Sequence, residues 1–157
     1  MKGLLITFLL GTCILPAFAQ QYFSAPHSSL DQKQVIEAVL RRELAHRKGV
    51  VFVRIFERDP SQELVKALSD LSVRILPASR AKDGRLTGGF DVPSVLTYKD
   101  ELSGKEGPLF DIRRLEWISG NYVRAIGGYD MTWGWGGEPS GASVIFIKLE
   151  HNQWRVR

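Results

Sequence analysis

Between residues 109 and 157 the chain is a succession of strand-like runs divided by short polar breaks, and this stretch restricts the fold more than any other. The runs cover residues 109–118, 122–131 and 142–150, with a short fourth at 154–157. Ser119-Gly120-Asn121 and His151-Asn152-Gln153 are breaks of hairpin size. In the first run Phe110 and Ile112 share one parity while Leu115 and Trp117 share the other. A bulge at Arg113-Arg114 reconciles the two and bends the sheet. In the second, Val123, Ala125, Gly127, Tyr129 and Met131 point one way, and the pair Gly127-Gly128 marks a kink or a close approach by another group. Ser143, Ile145, Ile147 and Leu149 alternate in the third run, and Trp154 and Val156 share a face in the last.

The first nineteen residues read as a secretory leader: Lys2, an apolar core over residues 4–15, and Ala17-Phe18-Ala19 as a small-x-small cleavage site. The expected mature chain starts at Gln20, is exported to the periplasm or the medium, is soluble and has no stable membrane anchor. A lipoprotein start at Cys13 is the alternative, with Thr12 fitting that pattern poorly. Cleavage after Ala19 removes Cys13, the one cysteine, and leaves no disulfide, thiol nucleophile or thiolate metal site. The loss of Lys2 lowers the 21 basic side chains to 20, against 17 acids, a net charge of +3. Its basic pairs Arg41-Arg42 and Arg113-Arg114 are interrupted by acids, and nucleic acid is not an expected partner.

Residues 20–28 read as a loose arm and residues 29–157 as a single domain. Ser29 with Gln32 suits a helix start, Val35, Ile36, Val39, Leu40 and Leu44 form an apolar stripe, and Gly49 supplies a left-handed stop. Residues 50–56 are apolar on both faces except at Arg54, as in a strand covered on both sides. Asp59 as a cap and Pro60 at the first helical position open a short second helix carrying Leu64, Ala67, Leu68 and Leu71. A strand over 72–76 ends at Pro77, residues 78–89 read as a surface loop, and 92–98 regains strand character.

That order of elements, helix, strand, short helix and then a run of strands closing on Trp154-Arg155-Val156, resembles the cystatin-like and NTF2-like group of α+β folds. The resemblance implies a curved antiparallel sheet packed against a long N-terminal helix and a second short helix. It departs from the NTF2-like pattern in having one long N-terminal helix where a pair is usual, and it carries no catalytic residues across. Ser119-Gly120-Asn121-Tyr122 is similar to the Ser-Gly-x-x-Tyr loop of periplasmic lysozyme inhibitors, one residue short. Such inhibitors meet a basic enzyme, and this basic chain has the wrong charge for that, so a plain hairpin turn is the preferred reading.

His27, His46 and His151 are isolated along the sequence, no metal-ligand spacing occurs, and neither metal nor cofactor is expected. The enzymatic alternative is a carboxylate-based hydrolase using a pair drawn from Asp111, Glu116, Asp130 and Glu138. The preferred reading is a non-catalytic binding or accessory module for a small molecule, glycan or protein. Trp133-Gly134-Trp135-Gly136-Gly137 is its most unusual segment. Tyr129, Trp133, Trp135 and Glu138 are the candidate ligand-binding residues, because glycines let a backbone approach a ligand while indoles offer flat apolar faces. The preferred expectation for the loop is that one or both indoles instead fold back to cap an open end of the sheet, and between the two residues Trp135 is expected to be the more exposed and Trp133 the more buried.

Overall fold

The computed structural model describes residues 28–87, 94–132 and 143–157. The residues read above as a leader and, up to His27, as an arm, together with Trp133, Trp135 and Glu138, lie outside the described residues.

The elements run α1 (Ser29–Leu44), β1 (Gly49–Ile55), α2 (Gln62–Ala67), β2 (Val73–Pro77), a 3₁₀ turn (Ala78–Arg80) and β3 (Ala81–Thr87). There follow β4 (Ser94–Asp100), β5 (Glu106–Ser119), β6 (Tyr122–Tyr129), β7 (Met131–Thr132), β8 (Ser143–Glu150) and β9 (Gln153–Val156). The molecule is α+β, with a strongly curled sheet and two helices. The main path of the sheet is β2-β1-β5-β6-β8-β9, while β4 branches from the start of β5 and also pairs with β3 and β7.

The sheet is mixed where an antiparallel one was expected: β1 runs parallel to β2 on one side and to β5 on the other. The intervening α2 supplies the crossover that a parallel pair needs. A strand apolar on both faces is what such a central position selects. Val51, Val53 and Ile55 enter the main core beside Phe110, Ile112 and the α1 stripe, and Val50 and Phe52 enter a second cluster with Leu76 and Leu109, closed by Ala81 and Tyr98.

Val35, Ile36, Val39, Leu40 and Leu44 are all buried, and α1 lies against β8 and β9 inside the curl. Each such aliphatic side chain contributes about 1.5–3 kcal/mol by leaving water. The helix is capped one residue earlier than expected, by Ser28 and Asp31 in a reciprocal capping box, because Asp31 accepts from both the amide and the hydroxyl of Ser28. Gly49 is left-handed, at φ 84°, but it opens β1 and does not end α1. Likewise α2 is capped by Ser61, which accepts from the Leu64 amide at 3.2 Å; Asp59 instead takes the Ser79 amide at 2.9 Å.

Residues 81–87 form β3 where a loop was expected. Lys82, Asp83, Gly84, Arg85 and Leu86 are exposed, so this strand is held by its ladder to β4 and has no apolar period to betray it. The bulge on β5 is present: the register with β6 shifts between Ile112 and Arg114, carrying Leu115 and Trp117 onto the core side. Gly127 answers a close approach, since a Cβ there would lie 2.0 Å from the Asp111 carbonyl oxygen. Among the described residues no helix is long and apolar enough to cross a membrane.

Candidate functional site

On the sheet face turned away from α1, β1 carries one charged side chain, Arg54, directly in register with Asp111 on β5. A lone cation on an otherwise apolar strand needs a counter-charge within reach, and Asp111 supplies it: Arg54 Nη2 donates to Asp111 Oδ2 at 2.9 Å. The bulge turns Arg113 back toward the same oxygen, its Nε 3.4 Å away. The Asp111 side chain is 6% exposed while Arg54 is 38% exposed, so a buried carboxylate lies beneath two guanidiniums that reach solvent. Opposite Asp111 on β6 is Gly128, which places no side chain over it.

The pairing is incomplete. Asp111 Oδ1 and Arg54 Nε are both buried and have no hydrogen-bond partner among the described residues. One is an acceptor and the other a donor, and buried polar atoms of this kind ordinarily find partners. Asp111 holds the Arg54 guanidinium above its usual pKa, with desolvation opposing and the more distant Asp130 charge adding to the effect.

A cavity of 480 Å³ opens over this pair, lined by Arg54, Glu57, Asp111 and Arg113. Arg54 and Glu57 also line an adjoining cavity of 480 Å³ that reaches Arg58, Asp59 and Ser79. Both lie at the C-terminal end of β1, where parallel strands deliver their loops and where open α/β sheets commonly place ligands. The loop reverses in two residues, Phe56 at φ 51° and Glu57 at φ 64°, closed by Ile55 N to Arg58 O at 2.8 Å and Arg58 N to Ile55 O at 3.0 Å. Left-handed backbone costs roughly 1–2 kcal/mol per non-glycine residue. Phe56 offsets this by donating its amide to Ile112 O at 2.8 Å and packing its ring on the main core. The strained turn thereby holds Glu57 and Arg58 at the cavity rim.

Beside this patch, Tyr98 donates its hydroxyl to Asp130 Oδ2 at 2.7 Å, and burial, reinforced by that carboxylate, pushes the phenol up to about 12. Asp130 stands where β6 leaves β5, its amide on Leu109 O and its carbonyl taking the Leu96 amide.

Of the ligand residues expected from sequence, Tyr129 is the one described, and it points to the other face. Its hydroxyl donates to Glu43 O at 3.3 Å, its ring meets Phe110 edge-on at 5.0 Å, and the Arg47 guanidinium lies 4.4 Å from the ring centroid. Burial raises its phenol, with Arg47 opposing. Tyr129 thus fastens the sheet to the end of α1. Among the candidate carboxylates, Asp111 meets Arg54 and Arg113, Glu116 meets Arg114 and Arg124, and Asp130 meets Tyr98. His46 and His151 are exposed, and no group of three metal-ligating side chains occurs among the described residues.

Arg54 and Arg113 were not among the sequence candidates. Their signal was present, in one charge on an apolar strand and a bulge carrying two arginines. No protein-family model matches the chain, and no curated protein or solved structure matches it either.

Proposed function

We propose that the chain is an exported, non-catalytic binding module that takes an acidic saccharide over Arg54, Asp111 and Arg113. The observation that carries this reading is the buried Asp111 with an oxygen that has no partner among the described residues, beside an Arg54 Nε that likewise has none among them, under a cavity rimmed by guanidiniums. A ligand carboxylate suits Arg113, Arg58 and the exposed part of Arg54, for which guanidinium geometry is well matched. A hydroxyl on the same ligand, being donor and acceptor at once, suits Asp111 and Arg54 together after a small shift of either side chain. The sequence also offers Trp133 and Trp135, whose indoles are of a kind that stacks on a sugar ring. The leader over residues 1–19 supports export. The long helix inside a curled sheet supports kinship of architecture with the cystatin-like and NTF2-like group, the parallel neighbours of β1 being its own variation.

The hydrolase alternative has less support, because each described candidate carboxylate is engaged by a group other than a second carboxylate: Asp111 by Arg54 and Arg113, Glu116 by Arg114 and Arg124, and Asp130 by Tyr98.

Calorimetric titration with galacturonate, galactose and acetate tests the proposal. Galacturonate is expected to bind at least about tenfold more tightly than either partial mimic, and Arg113→Ala to weaken it by about tenfold or more, as loss of a charge-assisted hydrogen bond implies. Trp133→Ala and Trp135→Ala are expected to weaken binding with little change in melting temperature. Equal affinity for galactose, or indifference to Arg113→Ala, overturns the saccharide site; a large fall in melting temperature for both tryptophan variants makes them structural caps instead.

A further inference from the structure

β2 stands at one end of the sheet path, paired on one side to β1 and on the other to nothing among the described residues. Its outer edge opens on a groove of 760 Å³ formed with α2. An unpaired edge offers main-chain donors and acceptors to any extended segment that reaches it. Natural edges are usually blunted by charge, and this one carries Arg74 and ends at Pro77.

The two sides of the groove differ in chemistry. Val73 and Ile75 face the main core, so on that side the groove is walled by the apolar side chains of α2 and its exit, Val65, Leu68 and Leu71. On the other side, in register with Val50, is the exposed Arg74. Lys66 and Arg74 have no ion pair among the described residues, whereas Arg80, also on the groove, is occupied by Asp100. Among the described residues no aspartate or glutamate lines the groove.

We propose that this edge receives an acidic peptide segment of another protein as an added strand. Successive side chains of a strand point to opposite faces. An occupant therefore presents apolar residues toward Val65, Leu68 and Leu71, and alternates them with aspartate or glutamate toward Arg74, with Lys66 available at the rim. The five residues of β2 match a paired length of roughly 17 Å. A second copy of the chain is disfavoured as occupant, since edge-to-edge pairing brings the same uncompensated cations together. Residues 20–27 of this chain contain no acidic residue, so they do not meet the charge of the groove.

This inference is independent of the Arg54 site and is tested separately from it. The probe is a fluorescently labelled peptide of alternating valine and glutamate, about seven residues long to cover the edge, titrated into the chain and followed by anisotropy. Controls are the valine–lysine counterpart and the acidic peptide N-methylated at every second residue. The acidic peptide is expected to bind at least about tenfold more tightly than the lysine peptide, to lose that binding on N-methylation of one register, and to lose its advantage with Arg74→Glu. Arg74 is exposed, so this variant is expected to melt as the parent does. Equal binding of both peptides, unchanged binding after N-methylation in either register, or no binding at millimolar peptide overturns the proposal. So does a dimer in sedimentation velocity that Arg74→Glu alters, because the occupant is then a second copy.

Discussion

Arg80 grips Asp100 with a two-bond fork, Nε to Oδ1 at 2.8 Å and Nη2 to Oδ2 at 2.6 Å, and the Asp100 side chain is completely buried. Ser103 adds its amide, at 2.9 Å, and its hydroxyl to the same carboxylate. The fork ties the 3₁₀ turn after β2 to the end of β4, where Ala81 pairs with Asp100. It closes the base of the β3–β4 hairpin over the second hydrophobic cluster.

The first prediction follows from its charge. Burial alone pushes the Asp100 carboxyl up, but Arg80 and Ser103 outweigh it and hold the group well below the usual carboxylate range. A carboxyl depressed in the folded state contributes stability above its unfolded value, about 3.9, and that contribution is lost as pH falls toward the folded value. Urea denaturation of the parent and Asp100→Asn should therefore differ fully at neutral pH, with the gap closing progressively below about pH 4. A gap that does not change with pH would mean that the fork stabilises only as geometry.

Tyr98 gives the opposite sign at the other end of the scale. With its phenol pushed up to about 12, first by burial and then by Asp130, the neutral form is favoured in the folded state. The associated stability is complete below about pH 10 and is lost as pH rises toward 12. Phenolate absorbance should show a late step that Tyr98→Phe removes. The same variant leaves Asp130 without its donor and is expected to lose about 1–2 kcal/mol at neutral pH by chemical denaturation.

Much of this architecture is written in periodicity. The α1 stripe, the alternation along β6, β8 and β9, and the parity change that locates the bulge at Arg113 all record burial on one face, and burial is what side-chain type encodes. β3 escaped because its exposed residues are held through backbone pairing, which leaves no mark on side chains. Strand direction escaped for a related reason: two-sided apolarity in β1 describes a covered strand equally well with parallel or antiparallel neighbours. The helix caps shifted because Ser28 and Ser61 compete with near neighbours that also carry side-chain acceptors. Arg54 and Asp111 are 57 residues apart, and only the sheet order brings them into register.

Close backbone approach supplies the third prediction. A methyl group on Gly127 would sit 2.0 Å from Asp111 O and 2.9 Å from Ile112 Cα, whereas one on Gly120 meets nothing within 4 Å. Because β5 would have to move bodily, Gly127→Ala should cost on the order of 3 kcal/mol or more, and Gly120→Ala should stay within about 0.5 kcal/mol. Thermal melting of the two variants side by side is the measurement, and equal melting temperatures would contradict the close packing of β6 on β5.

The last prediction concerns how Arg54 and Asp111 hold each other. Removing one member of a buried ion pair strands the other, at a cost of about 3–5 kcal/mol when both are deeply buried. Here the loss should be smaller, because Arg54 is 38% exposed and can turn its guanidinium to water. Asp111→Leu alone is expected to cost about 2–3 kcal/mol, since Arg54 Nε already lacks a partner among the described residues and Arg113 also loses its carboxylate. Arg54→Met alone should cost a similar amount, as among the described residues it leaves the buried carboxylate with only the longer contact from Arg113. The double variant replaces the pair with apolar side chains on a face where Phe52 and Leu109 are already buried, and should recover most of either single loss. A double-mutant cycle by chemical denaturation measures this directly. Strictly additive losses would show that the two side chains act on stability independently, and the incomplete pair would then lose its standing as the reason this corner of the sheet retains two charged groups.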